Sequence, residues 1–343
     1  MPKVNEAPVQ WPPSIANWLA FESKEPWLAT EEFPLFTDAW VSGETATGPY
    51  RFLNTVAFKS GAARPAIVLR YAIHKAWDYP DCEKTNTELY HGGSPQQELA
   101  ALASLAMGIR LRAGHSTRRF EPNGDPFGMP TEFGKRITPY FHLPVRPNLP
   151  SAAAVGERPL EALSVLNCLP KLSQGEACAI VRASRLYQDG LWLAESEPEM
   201  TWLCWSRRWR QPPMSGIKNR EIRLIASGMR SRSFTKIRSI CYGISSRASR
   251  ETDNLKKALK SIYGYRSDAL HDGRPFPLPM CEAPRLDSSW PAPAEKMFAL
   301  AVSHGGGVWK QKDIPMNLHL FEYITRNVLI GWLEACARKG QSS

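Results

Sequence analysis

Arg266 and His271 lie in the segment SIYGYRSDALHDG at 261–273, with four residues between them. An R-x4-H pair joins a cation that never titrates to an imidazole that changes charge near neutral pH. RNA can be cut without a metal when its own 2′-hydroxyl attacks the adjacent phosphorus. That reaction needs a base for the hydroxyl, an acid for the departing 5′-oxygen, and positive charge on the crowded phosphate. Histidine can carry out either proton transfer. An arginine fork can hold two phosphate oxygens at once. One motif supplies one imidazole, and two copies in a symmetric dimer supply both. On an unbroken helix the two side chains would point about 140° apart. They could approach one pocket if the helix ends near Leu270, with Gly273 just past its stop.

The elements that must position this pair divide into two regimes. Residues 1–145 read as a mixed β-rich module. The runs RFLNTVAFK at 51–59 and AIVLRYAI at 66–73 alternate or are β-branched and are bounded by turn residues, which predicts strands. PQQELAALASLAMGIR at 95–110 predicts a helix. Ser94 and Gln97 form its capping box, and Leu99, Leu102, Leu105 and Ile109 line its core side. EPNGDPFGMP at 121–130 reads as an ordered loop. Residues 146–160 lie in a stretch rich in proline and small residues and read as a linker.

Residues 161–343 read as almost all helix. Ser173 with Glu176 opens one helix, with Ile180, Tyr187 and Leu191 as its buried stripe. Ser196, Pro198 and Glu199 open a second, through about Arg210. Further helices are predicted at 220–232, 234–244 and 252–269, the last with Leu255, Leu259 and Ile262 on one side. A closing helix at 318–338 carries Phe321, Ile324, Val328, Trp332 and Cys336 at helical spacing. The fold class expected is α+β multidomain, a mixed β/α domain followed by an all-α bundle.

The chain has 343 residues, enough for about two domains. With 43% hydrophobic and 22% charged residues it is not a disordered chain. No apolar run is long enough to span a membrane. The opening MPKVNEAPVQWPPS lacks the apolar segment of a secretory signal, so a cytoplasmic location is expected. Net charge is +10, and it concentrates: residues 206–260 hold fifteen Lys and Arg against three acidic residues. Such a segment either solvates a helical face or tracks phosphates, which would make binding fall steeply with salt. Lys256, Lys257 and Lys260 enter the motif helix directly.

The motif in its setting, Tyr-x-x-Arg-Ser-x-x-x-His-x-Gly at 263–273, resembles the HEPN superfamily, specifically its Apea-like branch. VRASRLYQDGLWLAESEPE at 181–199 and the closing helix around 327–339 are similar to the same branch. Together the resemblance covers about residues 165–340, preceded by an accessory region. It implies a metal-independent endoribonuclease acting as a dimer, leaving 2′,3′-cyclic phosphate and 5′-hydroxyl ends. It further implies a toxin or anti-phage effector whose accessory domain answers to a phage-derived or other trigger. By this resemblance Arg266 binds phosphate, His271 acts as acid or base, and Ser267 hydrogen-bonds substrate or partner. Asp268 and Tyr265 join the three lysines as RNA contacts. No cofactor and no metal are expected. The readings in other classes are a non-catalytic nucleic-acid or nucleotide-binding module, and a scaffold subunit of a defence complex.

Other features carry less. Trp202, Trp205 and Trp209 form one helical stripe, read as core or interface. The seven cysteines contain no C-x-x-C pair and read as free thiols. Gly305, Gly306 and Gly307 read as a turn. Arg118 and Arg119 beside Phe120 read as a surface turn that could bind an anion.

Overall fold

The computed structural model describes residues 11–37, 39–54, 64–75, 93–122, 132–133, 157–206, 248–282, 286–287, 294–295, 301–304, 307–310 and 313–339. The chain is mixed α+β and forms two compact units. One takes residues 1–143, 156–188 and 332–343, the other 144–155 and 189–331. Among the described residues no helix is long and apolar enough to cross a membrane.

The first unit is built on an antiparallel sheet. Its strands are β1 (Ala29–Thr37), β3 (Thr45–Thr47), β4 (Tyr50–Asn54), β5 (Arg64–Ile73), β6 (Arg112–Ala113), β7 (Arg118–Phe120) and β8 (Glu132–Phe133). The order is β3-β4-β5-β1-β7-β8, with β6 also pairing β1. The short β2 (Trp40–Ser42) pairs in parallel with β9 (Glu157–Pro159). The strands expected from alternation at 51–59 and 66–73 are β4 and β5, and residues 55–59 lie outside the described set. Arg118, Arg119 and Phe120 form a strand, not a surface turn, because each of Arg118 and Arg119 faces a glutamate of β1 across the ladder. Central strand β1 carries Pro34 in its interior. There its second edge passes from β7 at residues 30–32 to β6 at 35–36, so no N–H is asked of the proline.

One face of the sheet is apolar: Phe33, Leu35, Tyr50, Phe52, Ile67, Leu69 and Tyr71 are all buried. Helix α1 (Pro13–Glu22) is fastened in this core. Trp18 meets Tyr50 edge-on at 5.6 Å, the Tyr50 hydroxyl donates to the Ser14 carbonyl, and Asn17 donates to the Ala72 carbonyl at 3.0 Å. Helix α2 (Pro95–Met107) is buried all round from Glu98 to Met107. Its N-terminus has the Gln97 half of the expected box, Gln97 accepting from the Ser94 N–H at 3.2 Å. It stops three residues sooner than its pattern predicts, because Gly108 adopts φ 68° and ends the helix. The Ser14 N–H donates to the buried Glu98 carboxylate at 2.8 Å and so joins α1 to α2.

The segment Leu160–Lys171 is a 3₁₀ helix. Its buried residues are Leu160, Leu163, Leu166 and Leu169, a strict spacing of three. Side chains three apart eclipse in a 3₁₀ helix, so this spacing buries one row. An α-helix would spread the same leucines around its axis. Helix α3 (Gln174–Leu193) follows from the expected capping box. Ser173 Oγ donates to Glu176 at 2.8 Å, and the Ser173 N–H donates to the same carboxylate at 3.0 Å. Ile180, Tyr187 and Leu191 are buried as their spacing predicts.

The second unit holds α4 (Pro198–Ser206), α5 (Ala248–His271), the hairpins β10–β11 (Leu286–Asp287, Ala294–Glu295) and β12–β13 (Ala301–His304, Gly307–Lys310), and most of α6 (Leu318–Lys339). The expectation of almost pure helix after residue 161 is thus too simple. In β12–β13, Val302 pairs with Trp309 and Ser303 with Val308, an antiparallel pair with a weak hydrophobic pattern, and Gly305 and Gly306 of the expected glycine turn lie outside the described residues. The helices expected at 220–232 and 234–244 and most of the basic segment lie outside the described residues. Trp202 and Trp205 are core, with Trp202 stacked on Phe321 at 4.9 Å and its indole N–H donated to the Met280 carbonyl at 3.0 Å. Trp209 lies outside the described residues. Phe321, Ile324, Val328 and Cys336 of α6 are buried, and Trp332 is partly exposed.

Candidate active site

Every residue singled out for chemistry lies on α5, which runs unbroken through His271. The helix does not end at Leu270, so His271 is its last residue and stays on the helical spiral. Gly273, at φ 64°, turns the chain away, and the Asp268 carbonyl accepts from both the Asp272 and Arg274 N–H groups. Past this stop the chain enters the Pro-rich stretch that carries Phe276 and Met280 back into the core.

The buried side of α5 is set by Ala258, Ile262 and Tyr265. The first two are buried. Tyr265 meets Phe276 edge-on at 6.1 Å and donates its hydroxyl to the Asp313 carbonyl at 3.0 Å. Burial raises the Tyr265 hydroxyl above its ordinary range, and the carboxylates of Asp313 and Asp268 add to the effect. Its ring is therefore held inward. Tyr263 lies beside Arg266, whose guanidinium carbon is 5.8 Å from the Tyr263 ring centre.

Relative to the buried side, helical geometry puts Arg266 about 70° round the axis in one sense and His271 about 150° round in the other, so the two stay about 140° apart. Arg266 is partly covered and His271 exposed. The Arg266 Nε is buried and finds no hydrogen-bond partner among the described residues. Such an unmatched donor normally costs about 1–3 kcal/mol. On the outward side, Lys256, Lys260, Ser267 and His271 fall within about 60° of one another, a stripe about 22 Å long. The three lysines are exposed, Ser267 and Asp268 partly so. A methyl group added at Gly264, on the same outward side, would meet nothing.

The motif thus places its guanidinium at the edge of the helix and its imidazole on the outer face, along with the cationic stripe. A single chain does not bring Arg266 and His271 over one point. Phe276 and Asp313, which hold Tyr265 and with it the rotation of α5, carry no local signal in the sequence because they reach the helix only through the fold. Among the described residues no group of His, Cys, Asp and Glu could hold a metal ion. Five cysteines, Cys168, Cys178, Cys204, Cys281 and Cys336, are free thiols. Burial, with the Glu199 carboxylate, pushes Cys281 up to about 11, far from a reactive thiolate. No family model, curated protein or solved structure matches the chain.

Proposed function

We propose that the chain is a metal-independent endoribonuclease whose site is completed by a second copy. The observation that carries this reading is Arg266: a partly covered guanidinium beside an aromatic ring, with its buried Nε unmatched among the described residues. A cation held in that way is ready for an anion, and a phosphodiester is the anion that the neighbouring lysines and imidazole suit.

In the reaction, one His271 takes the proton of the 2′-hydroxyl as its oxygen bonds to phosphorus. The P–O5′ bond breaks, and the His271 of the other copy gives its proton to the leaving oxygen. Arg266 neutralises the charge that builds on the non-bridging oxygens. Ser267 lies on the same face as His271 and hydrogen-bonds substrate or partner. Lys256, Lys257 and Lys260 hold the flanking backbone, with Asp268 as a secondary contact at the helix; Tyr265, expected as an RNA contact, is instead committed to Phe276 and the Asp313 carbonyl. The products are a 2′,3′-cyclic phosphate and a 5′-hydroxyl. A cytoplasmic growth-arresting or anti-phage role goes with this chemistry.

The deciding experiment incubates wild type and His271→Ala with total RNA and purified tRNA in EDTA, followed by end-group analysis. Cyclic-phosphate ends are expected from the wild type alone. Equal cleavage by the variant sinks the proposal. A second reading, a module that binds RNA without cutting it, is favoured by the continuous helix that turns Arg266 and His271 apart. It predicts salt-dependent binding with no new ends at any enzyme concentration.

A further inference from the structure

The sheet of the first unit has a second face, opposite the apolar one. The ladders set Arg51 of β4 against Arg70 of β5, Arg70 against Glu32 of β1, and Glu32 against Arg118 of β7. Residues directly opposed in antiparallel strands share a face. The four therefore form one row across four neighbouring strands, about 14 Å long at ordinary strand spacing.

Glu32 is the fixed point of the row. Its side chain is only 2% exposed and takes the Arg118 Nε at 2.6 Å, with Arg70 at 3.6 Å. Both guanidiniums also lie over the buried Phe120 ring, Arg70 at 4.9 Å and Arg118 at 5.8 Å. One arginine would neutralise one carboxylate, and the row itself holds three cations to one anion, with an arginine at each end. Arg51, at one end, is exposed and has no partner among the described residues. Arg118, at the other end, is 48% exposed and commits only its Nε. Its two terminal amino groups stay available, on a side chain held by the carboxylate and the ring.

A second row runs beside the first. Leu53, Val68 and Pro34 stand opposite one another in the same ladders, two residues along each strand. They share the face, lie about 7 Å away, and are each partly exposed. A cationic row parallel to an apolar one matches a chain with phosphates on one side and unpaired bases on the other. Oriented guanidiniums hold phosphate oxygens in pairs, and apolar side chains accept base faces. We infer that this face of the N-terminal sheet binds the sugar-phosphate backbone of a single-stranded nucleic acid. The inference stands apart from the nuclease reading, because the row contains neither Arg266 nor His271.

The test uses full-length protein carrying His271→Ala, so that no cleavage confuses the readout. Fluorescence anisotropy follows binding of labelled oligouridylate and oligothymidylate over a series of KCl concentrations. Arg51→Glu and Arg118→Gln should each weaken binding about tenfold. Each should also flatten the salt slope by about 0.7 per lost phosphate contact. Arg51→Lys should retain most of the affinity. Binding to both oligomers identifies the phosphodiester as the ligand, and binding to the RNA alone adds a contact to the 2′-hydroxyl. Arg51 has no partner to lose among the described residues, so Arg51→Glu should melt like its parent and decides the matter even if Arg118→Gln fails to fold. Unchanged affinity in Arg51→Glu overturns the inference, as does equal displacement of the RNA by polyglutamate. Absence of cleavage by the wild type would remove the nuclease reading and leave this measurement intact.

Discussion

His319 is the titratable side chain that burial alters most usefully. Desolvation pulls it from the ordinary imidazole value of 6.5 down to about 4. A group whose folded value is lowered binds its proton more readily when unfolded. Stability is therefore complete above the unfolded value near 6.5 and is lost as pH falls toward 4. The total is on the order of 3 kcal/mol, at about 1.4 kcal/mol for each pH unit that separates the folded and unfolded values. Urea melts should show this loss between pH 7 and pH 4.5 in the wild type, and a flat response over that range in His319→Gln. Glu176 acts in a lower window. Burial alone would raise its carboxyl, but hydrogen bonds from Ser173 and Cys336 and the charge of Lys339 outweigh that and hold it below the ordinary value. Its contribution is present above about pH 4.5 and disappears as pH falls through the lowered value. The two groups thus separate on the pH axis.

Two glycines give opposite results because their helices have opposite surroundings. Gly190 of α3 is where α4 comes closest: the Thr201 hydroxyl donates to the Gly190 carbonyl at 3.0 Å, and a methyl at Gly190 would strike the Trp205 indole. Gly190→Ala should cost about 1–3 kcal/mol through overpacking, read as a lower midpoint in urea. Gly264 of α5 has open space around it. Gly264→Ala should instead stabilise by about 0.5–1 kcal/mol, and an unchanged or lowered melting temperature would mean that something covers that face in solution. Local signals of this kind were the legible part of the fold. The Ser173–Glu176 box, the stripe of Ile180, Tyr187 and Leu191, and the alternation of β4 and β5 all depend on near neighbours in sequence. The strand at Arg118–Phe120 was not legible, because its partner strand lies more than eighty residues earlier. The 3₁₀ geometry of Leu160–Lys171 could have been read from the spacing of its leucines.

For the whole molecule, the proposed chemistry makes activity a property of pairs. If each site needs His271 from two copies, mixing wild type with His271→Ala under exchanging conditions should make activity follow the square of the wild-type fraction. A linear fall would mean that each chain cuts alone. The sequence alone marks the motif and its helix but not how far the two side chains diverge. That depends on whether α5 stops before His271, which Gly273 and the Asp268 carbonyl decide one turn later. The basic row of the sheet was half visible. Arg51 and Arg70 stand at alternate positions in their strands, yet only register shows that Glu32 and Arg118 complete the line. The leucine row at 160–169 imposes a rule on insertions. Adding or removing three residues there shifts the row by one whole turn and leaves its phase intact. A single-residue indel rotates everything beyond it by about 120°, so length variants of this segment should be tolerated in triplets and rejected otherwise.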